Sequence, residues 1–216
     1  MKKGLTEIVF ILDKSGSMSG LEKDTIGGYN SFLERQKGGE GVALVSTVLF
    51  SNESKVIHDR VSIESVEPLT DEQYTTDGCT ALLDAIGGAI HHIGNVHKYA
   101  RDEDCPEKTI FVITTDGEEN SSREYNYPKI KKMIERQQEK YGWEFVFLGA
   151  NIDAVAEAGK LGICEERAVR YECDSVGTRL NFECLSESIS DFRVGKRISN
   201  NWKGKISEYR GKKSKR

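Results

Sequence analysis

The sequence lacks any apolar run approaching the ~20 residues that a bilayer-spanning helix needs. Its opening, Met1-Lys2-Lys3-Gly4, runs on to the acidic Glu7 without the apolar core and small-residue cleavage site of a secretory leader, so the chain is expected in the cytoplasm. Its 5 cysteines, Cys79, Cys105, Cys164, Cys173 and Cys184, are odd in number and scattered. With no C-x-x-C pair and no histidine at zinc-ligand spacing, they read as free thiols. A Gly-rich phosphate loop, a dinucleotide fingerprint and a Ser-His-Asp order are all missing, which removes the usual signatures of nucleotide binding and nucleophilic hydrolysis. His58, His91, His92 and His97 carry no nucleophile or metal spacing and read as surface or helix-boundary residues.

What is present suits one α/β domain. At 216 residues a second independent core is not expected, and 31% charged residues against 37% hydrophobic ones describe a well-solvated surface around a modest core. Charge is unevenly placed: residues 196–216 hold nine Lys or Arg against one acid, a net of +8, so with −4 overall residues 1–195 carry −12. The division expected is a body over 1–195 and a flexible basic tail over 196–216.

Residues 6–12 and 108–115 are short β-rich apolar runs, the pattern of central parallel strands covered on both faces. Runs 42–50 and 55–63 are joined by Ser51-Asn52-Glu53-Ser54, too short for a parallel crossover, so one of them is an antiparallel edge strand. Helical spacing appears over about 21–37, 81–93 and 127–141, the last with Pro128 in its first turn. A strand over 143–148, a short helix over 153–161, a strand at 168–171 and a helix over about 176–194 complete the order. It predicts a doubly wound α/β fold: an open, mostly parallel sheet with one antiparallel edge strand and helices on both faces. Ligands of such sheets collect beyond the C-terminal strand ends, where strand order reverses.

That is where Asp13 and Asp116 fall, each closing a core strand. Asp13-Lys14-Ser15-Gly16-Ser17 offers one carboxylate and two hydroxyls, hard oxygen donors suited to Mg²⁺ or Mn²⁺ rather than to a thiophilic ion. Alone, this run reads equally as helix capping. Thr80, in Gly78-Cys79-Thr80-Ala81-Leu82, adds a hydroxyl at a helix start, and Asp116, in Thr114-Thr115-Asp116-Gly117, adds a second carboxylate from a third loop.

With these three pieces the sequence resembles the von Willebrand factor A domain family, of its bacterial or phage cytosolic kind, with a complete metal-ion-dependent adhesion site. The resemblance covers about residues 5–170 and matches Asp13, Ser15 and Ser17, then Thr80, then Asp116, to the family's D-x-S-x-S, G-x-T-x-L and D-G positions. It implies a three-layer, Rossmann-like sandwich holding one divalent cation, Mg²⁺ or Mn²⁺, with Ser15 and Ser17 as direct ligands. Thr80 would ligate directly or through water, and Asp13 and Asp116 mostly through water. The implied function is non-enzymatic: a metal-dependent protein-binding module whose cation takes an Asp or Glu side chain from a partner. Asp77, Glu118, Glu119 and Asn120 would stand on the rim of that site, although each also reads as an ordinary loop residue.

Two other functions stand beside this one. A phosphohydrolase resembling the haloacid dehalogenase type would use Asp13 as nucleophile with Mg²⁺, but that pattern wants a second Asp two residues on, where Ser15 stands. The basic tail, with Trp202 and Tyr209 among its cations, has the composition of a grip on nucleic acid, of a dock for an acidic partner, or of a solubilising tail that folds back on the acidic body.

Overall fold

A computed structural model describes residues 1–213. Six strands form one sheet in the order β3-β2-β1-β4-β5-β6. They are β1 (Lys2–Asp13), β2 (Val42–Phe50), β3 (Ser54–Ser62), β4 (Pro106–Thr115), β5 (Glu144–Ala150) and β6 (Ala168–Tyr171). All pairings are parallel except β2 with β3, the expected hairpin, so β3 is an antiparallel edge strand. Six helices pack around the sheet: α1 (Glu22–Lys37), α2 (Leu82–Tyr99), α3 (Tyr127–Tyr141), α4 (Ala154–Lys160), α5 (Ser175–Arg193) and α6 (Gly204–Lys213).

Side-chain alternation along the strands divides the interior in two. Ile8, Phe10 and Leu12 of β1, with Ile110 and Val112 of β4, face α1, α5 and α6. Val9, Ile11, Phe111 and Ile113 point the other way, toward α2, α3 and α4. The middles of the central strands, Ile8–Leu12 of β1 and Ile110–Ile113 of β4, are therefore apolar at every position, as a sheet covered on both faces requires. Of the adjacent glycines 87 and 88 in α2, Gly87 permits close packing, since a Cβ there would lie 2.4 Å from the Tyr125 ring; nothing approaches Gly88.

The structure departs from the expected tail. Ile198, Trp202 and Ile206 are buried in the α1/α5 side of the core, and the Trp202 indole donates to the Glu166 carbonyl at 2.8 Å. The basic side chains around them go to acceptors on the body: Lys203 to the Glu165 and Ala168 carbonyls, Lys205 to Glu187 and Lys213 to Asp174. Of the readings of this stretch, a flexible tail, a grip on nucleic acid, a dock for an acidic partner and a segment folded back on the acidic body, the last matches, and its three apolar anchors, spaced four apart, stand among nine cations. His58 differs too: it is buried, with Nδ1 3.1 Å from Thr47 Oγ1.

Candidate functional site

Strand order reverses between β1 and β4, so the carboxyl ends of these neighbours open a crevice. Three loops enter it. The first follows β1, where Asp13 turns inward: its carboxylate accepts the Ser15 N–H at 2.7 Å and the Thr115 hydroxyl at 2.5 Å, and only 1% of the residue is exposed. Tyr74 donates its buried hydroxyl to the Asp13 carbonyl and so fixes the strand end. Ser15 is buried, Ser17 is exposed, and their hydroxyl oxygens lie 3.0 Å apart.

The third loop supplies Asp116, whose Oδ1 accepts the Ser17 hydroxyl at 2.6 Å. Thr80 comes from the second loop, just before α2. A Cβ placed on Gly117 would lie 2.9 Å from Thr80 Oγ1 and 3.2 Å from Ser17 Oγ, so both hydroxyls crowd over that glycine. Asp13, Ser15, Ser17, Thr80 and Asp116 are thus brought together from three loops.

These residues fit a divalent cation on three counts. Asp116 Oδ2 is buried without a hydrogen-bond partner, a state that costs about 1–3 kcal/mol if nothing else satisfies it. Gly117 leaves open the space that a side chain would fill against Thr80 and Ser17. The donors are hydroxyl and carboxylate oxygens, and no cluster of three His, Cys, Asp or Glu exists among the described residues, so the set favours a hard ion. Burial pushes the Asp13 and Asp116 carboxyls above their ordinary 3.8 despite the hydrogen bonds from Thr115, Ser15 and Ser17 that stabilise the charged forms. Lys14, adjacent in sequence, does not relieve them; its ammonium turns to Asp77 at 2.6 Å.

The four rim residues have distinct positions. Asp77 is exposed, pairs with Lys14, accepts from Ser51 at 3.1 Å, and through its N–H ties the second loop to the Lys14 carbonyl at 2.9 Å. Glu118 is exposed. Glu119 is turned inward: it accepts from the Leu83 N–H at the start of α2 and from the Ser121 and Ser122 N–H groups. Asn120 clasps Thr80 from both sides, accepting the Thr80 N–H at 2.9 Å and donating its own N–H to the Thr80 carbonyl at 3.1 Å.

Sequence reasoning missed Thr115 and Tyr74, which hold Asp13 in place. Thr115 had a signal, a hydroxyl directly before Asp116 at a core strand end. Tyr74 had none, being 61 residues from the carbonyl it meets. Asp153 caps α4 by accepting the Ala156 N–H, as its place after a strand suggests.

Neither a family model nor a curated protein matches the sequence. Solved structures match the fold. Proximal thread matrix protein 1 from the mussel byssus, in its second crystal form, aligns with a TM-score of 0.58 at 16% identity over 87% of this chain and 46% of the other. The same mussel protein with a zinc-occupied MIDAS motif gives 0.57 at 17% identity, over 87% and 46%. A von Willebrand factor type A protein from Catenulispora acidiphila gives 0.53 at 13%, over 85% and 42%. The chain therefore spans less than half the length of these neighbours. Its fold is that of a von Willebrand factor A domain: a six-stranded mixed sheet with one antiparallel edge and helices on both faces. In the zinc-occupied neighbour, the metal motif carries a divalent ion.

Proposed function

We propose that this chain is a metal-dependent protein-binding module of the adhesion type, non-enzymatic, in which Asp13, Ser15, Ser17, Thr80 and Asp116 hold one Mg²⁺ or Mn²⁺. The observation that carries the reading is the convergence of the Ser17 and Thr80 hydroxyls over Gly117 beside an Asp116 oxygen with no partner. A cation bound there supplies an electrophilic position for a carboxylate of the partner.

The chain's own residues set that position up. Thr115 and the Ser15 N–H hold the Asp13 carboxylate inside the fold, where it adds negative potential without occupying the exposed side. Asp116 orients the Ser17 hydroxyl, and Asn120 fixes the backbone on both sides of the Thr80 side chain. Exposed Ser17 and Glu118 lie on the partner's side of the site. The same burial of Asp13 argues against its use as a phosphoryl-accepting nucleophile. The ion pairs of Lys205 and Lys213 with the body favour a basic segment folded onto acidic partners within the chain over one gripping nucleic acid.

Calorimetric titration with Mg²⁺ and with Mn²⁺ tests the metal. One saturable site is expected in the native chain and none in Ser15→Ala/Asp116→Ala, checked for an unchanged circular dichroism spectrum. Proteins retained on the immobilised chain with Mg²⁺ should be released by chelator and should not be retained by the double variant. Equal retention by both overturns the reading.

A further inference from the structure

At the sheet edge opposite the three loops, a cavity of about 620 Å³ opens between the C-terminal halves of α2 and α3, the first residues of β4, and Trp143 just ahead of β5. Its size falls in the range of roughly 300–1,000 Å³ typical of small-molecule sites. The apolar wall is made by Ile90 and Trp143. Trp143, only 5% exposed, stacks on Phe111 with ring centres 5.3 Å apart and takes the His97 ring edge-on at the same distance.

His97 is itself fixed from beneath. Its Nε2 lies 2.5 Å from Oε2 of Glu7, a fully buried carboxylate on β1 whose other oxygen accepts Arg60 Nε at 2.8 Å. Arg60 reaches it from a left-handed backbone position, φ 52°, where the β2/β3 register is irregular. A buried ion network thus holds the wall of a cavity remote from the metal loops, which makes the wall rigid before any ligand arrives.

The mouth is cationic. Lys98 on α2 and Arg136 and Lys140 on α3 line it, the last two a helical turn apart and so on one face. Lys98 and Lys140 rest over the Tyr99 and Tyr141 rings at 4.9 and 5.2 Å, and no carboxylate among the described residues pairs with either of them or with Arg136. Glu107, the one acid on the wall, already accepts the Gly4 N–H at 2.6 Å. The C-terminal ends of α2 and α3 contribute roughly half a negative charge each, so three full cations outweigh them.

We propose that this cavity binds a small planar anion, an aromatic ring carrying a carboxylate, sulfonate or phosphate, with the ring against Trp143 and Ile90 and the charge toward Arg136, Lys140 and Lys98. The site is independent of the metal loops. The probe is the aromatic sulfonate 8-anilinonaphthalene-1-sulfonate, titrated into the folded chain and followed by fluorescence, with neutral N-phenyl-1-naphthylamine as its uncharged counterpart. Expected are saturation at one site per chain, at least tenfold weaker binding of the neutral dye, and at least a tenfold loss of sulfonate affinity in Arg136→Glu/Lys140→Glu. Both substitutions sit on exposed positions, and Arg136→Lys/Lys140→Arg should restore binding; Ser15→Ala/Asp116→Ala should leave it unchanged. No saturable signal, equal affinity for the neutral dye, or indifference to the charge reversal would each overturn the assignment.

Discussion

Gly117→Ala is the substitution that bears most directly on the metal site. A Cβ at this position would stand 2.9 Å from Thr80 Oγ1 and 3.2 Å from Ser17 Oγ, closer than ordinary contact, so both hydroxyls must give way by several tenths of an ångström. In the metal-free chain such crowding costs about 1–3 kcal/mol. For an ion that demands ligands near 2.0–2.1 Å in octahedral array, the same displacement separates its donors. The assay is the melting temperature as a function of Mg²⁺, because a ligand that binds only the folded state stabilises it by RT ln(1 + [L]/Kd). At a hundredfold excess over Kd the native chain should gain about 2.7 kcal/mol, which for a domain of this size is a rise of roughly 5–11 °C. If Gly117→Ala weakens binding about a hundredfold, the same Mg²⁺ concentration leaves only RT ln 2, about 0.4 kcal/mol, or roughly 1 °C. The comparison is between metal-induced shifts, so a lower starting temperature in the variant does not confuse it. A native chain whose melting temperature stays flat across Mg²⁺ and Mn²⁺, or a variant that keeps the full shift, refutes the site.

Two further outcomes test the supports of the fold and the site. Thr115→Val keeps the shape of the side chain and deprives Asp13 of its 2.5 Å donor; leaving a buried carboxylate oxygen unpaired should cost about 1–3 kcal/mol in urea unfolding at unchanged m-value. Partial burial by itself would raise the Asp174 carboxyl, but Lys213, the Gly177 N–H and Tyr209 outweigh it and hold the group below its ordinary 3.8. A lowered folded value means that this tether of α6 is fully present above the ordinary Asp range and is lost as pH falls through the lower, folded value. The protection of α6 amides, taken relative to their intrinsic exchange rate at each pH, should therefore fall below about pH 4 in the native chain, and Asp174→Asn should show the lower protection already at pH 6; identical protection in the two proteins at pH 6 would contradict the tether.

Much of the architecture was legible because local signals and global fold agreed. The short β-branched apolar runs within 6–12 and 108–115 read as strands covered on both faces, and a four-residue link at 51–54 is too short for a parallel crossover. The same agreement placed Asp13 and Asp116 at one edge, since both end parallel core strands. In the C-terminal segment, where nine cations dominate the composition, the fold-back onto the acidic body was legible but helix α6 was not, because Ile198, Trp202 and Ile206 gain meaning only once there is a surface for them to cover.

By itself, then, the sequence determined the kinds of elements and their order as far as α5, and it offered five oxygen-bearing side chains as candidate ligands. Periodicity and link length are local properties written directly in residue order. What only tertiary structure decided was which groups meet: that Thr115 and Tyr74 hold Asp13, that Asn120 faces inward to Thr80, that one oxygen of Asp116 is left without a partner, and that Glu7 reaches Arg60 and His97 across 53 and 90 residues. Such pairings depend on loop paths and side-chain directions set by the packed sheet, and no local pattern encodes them.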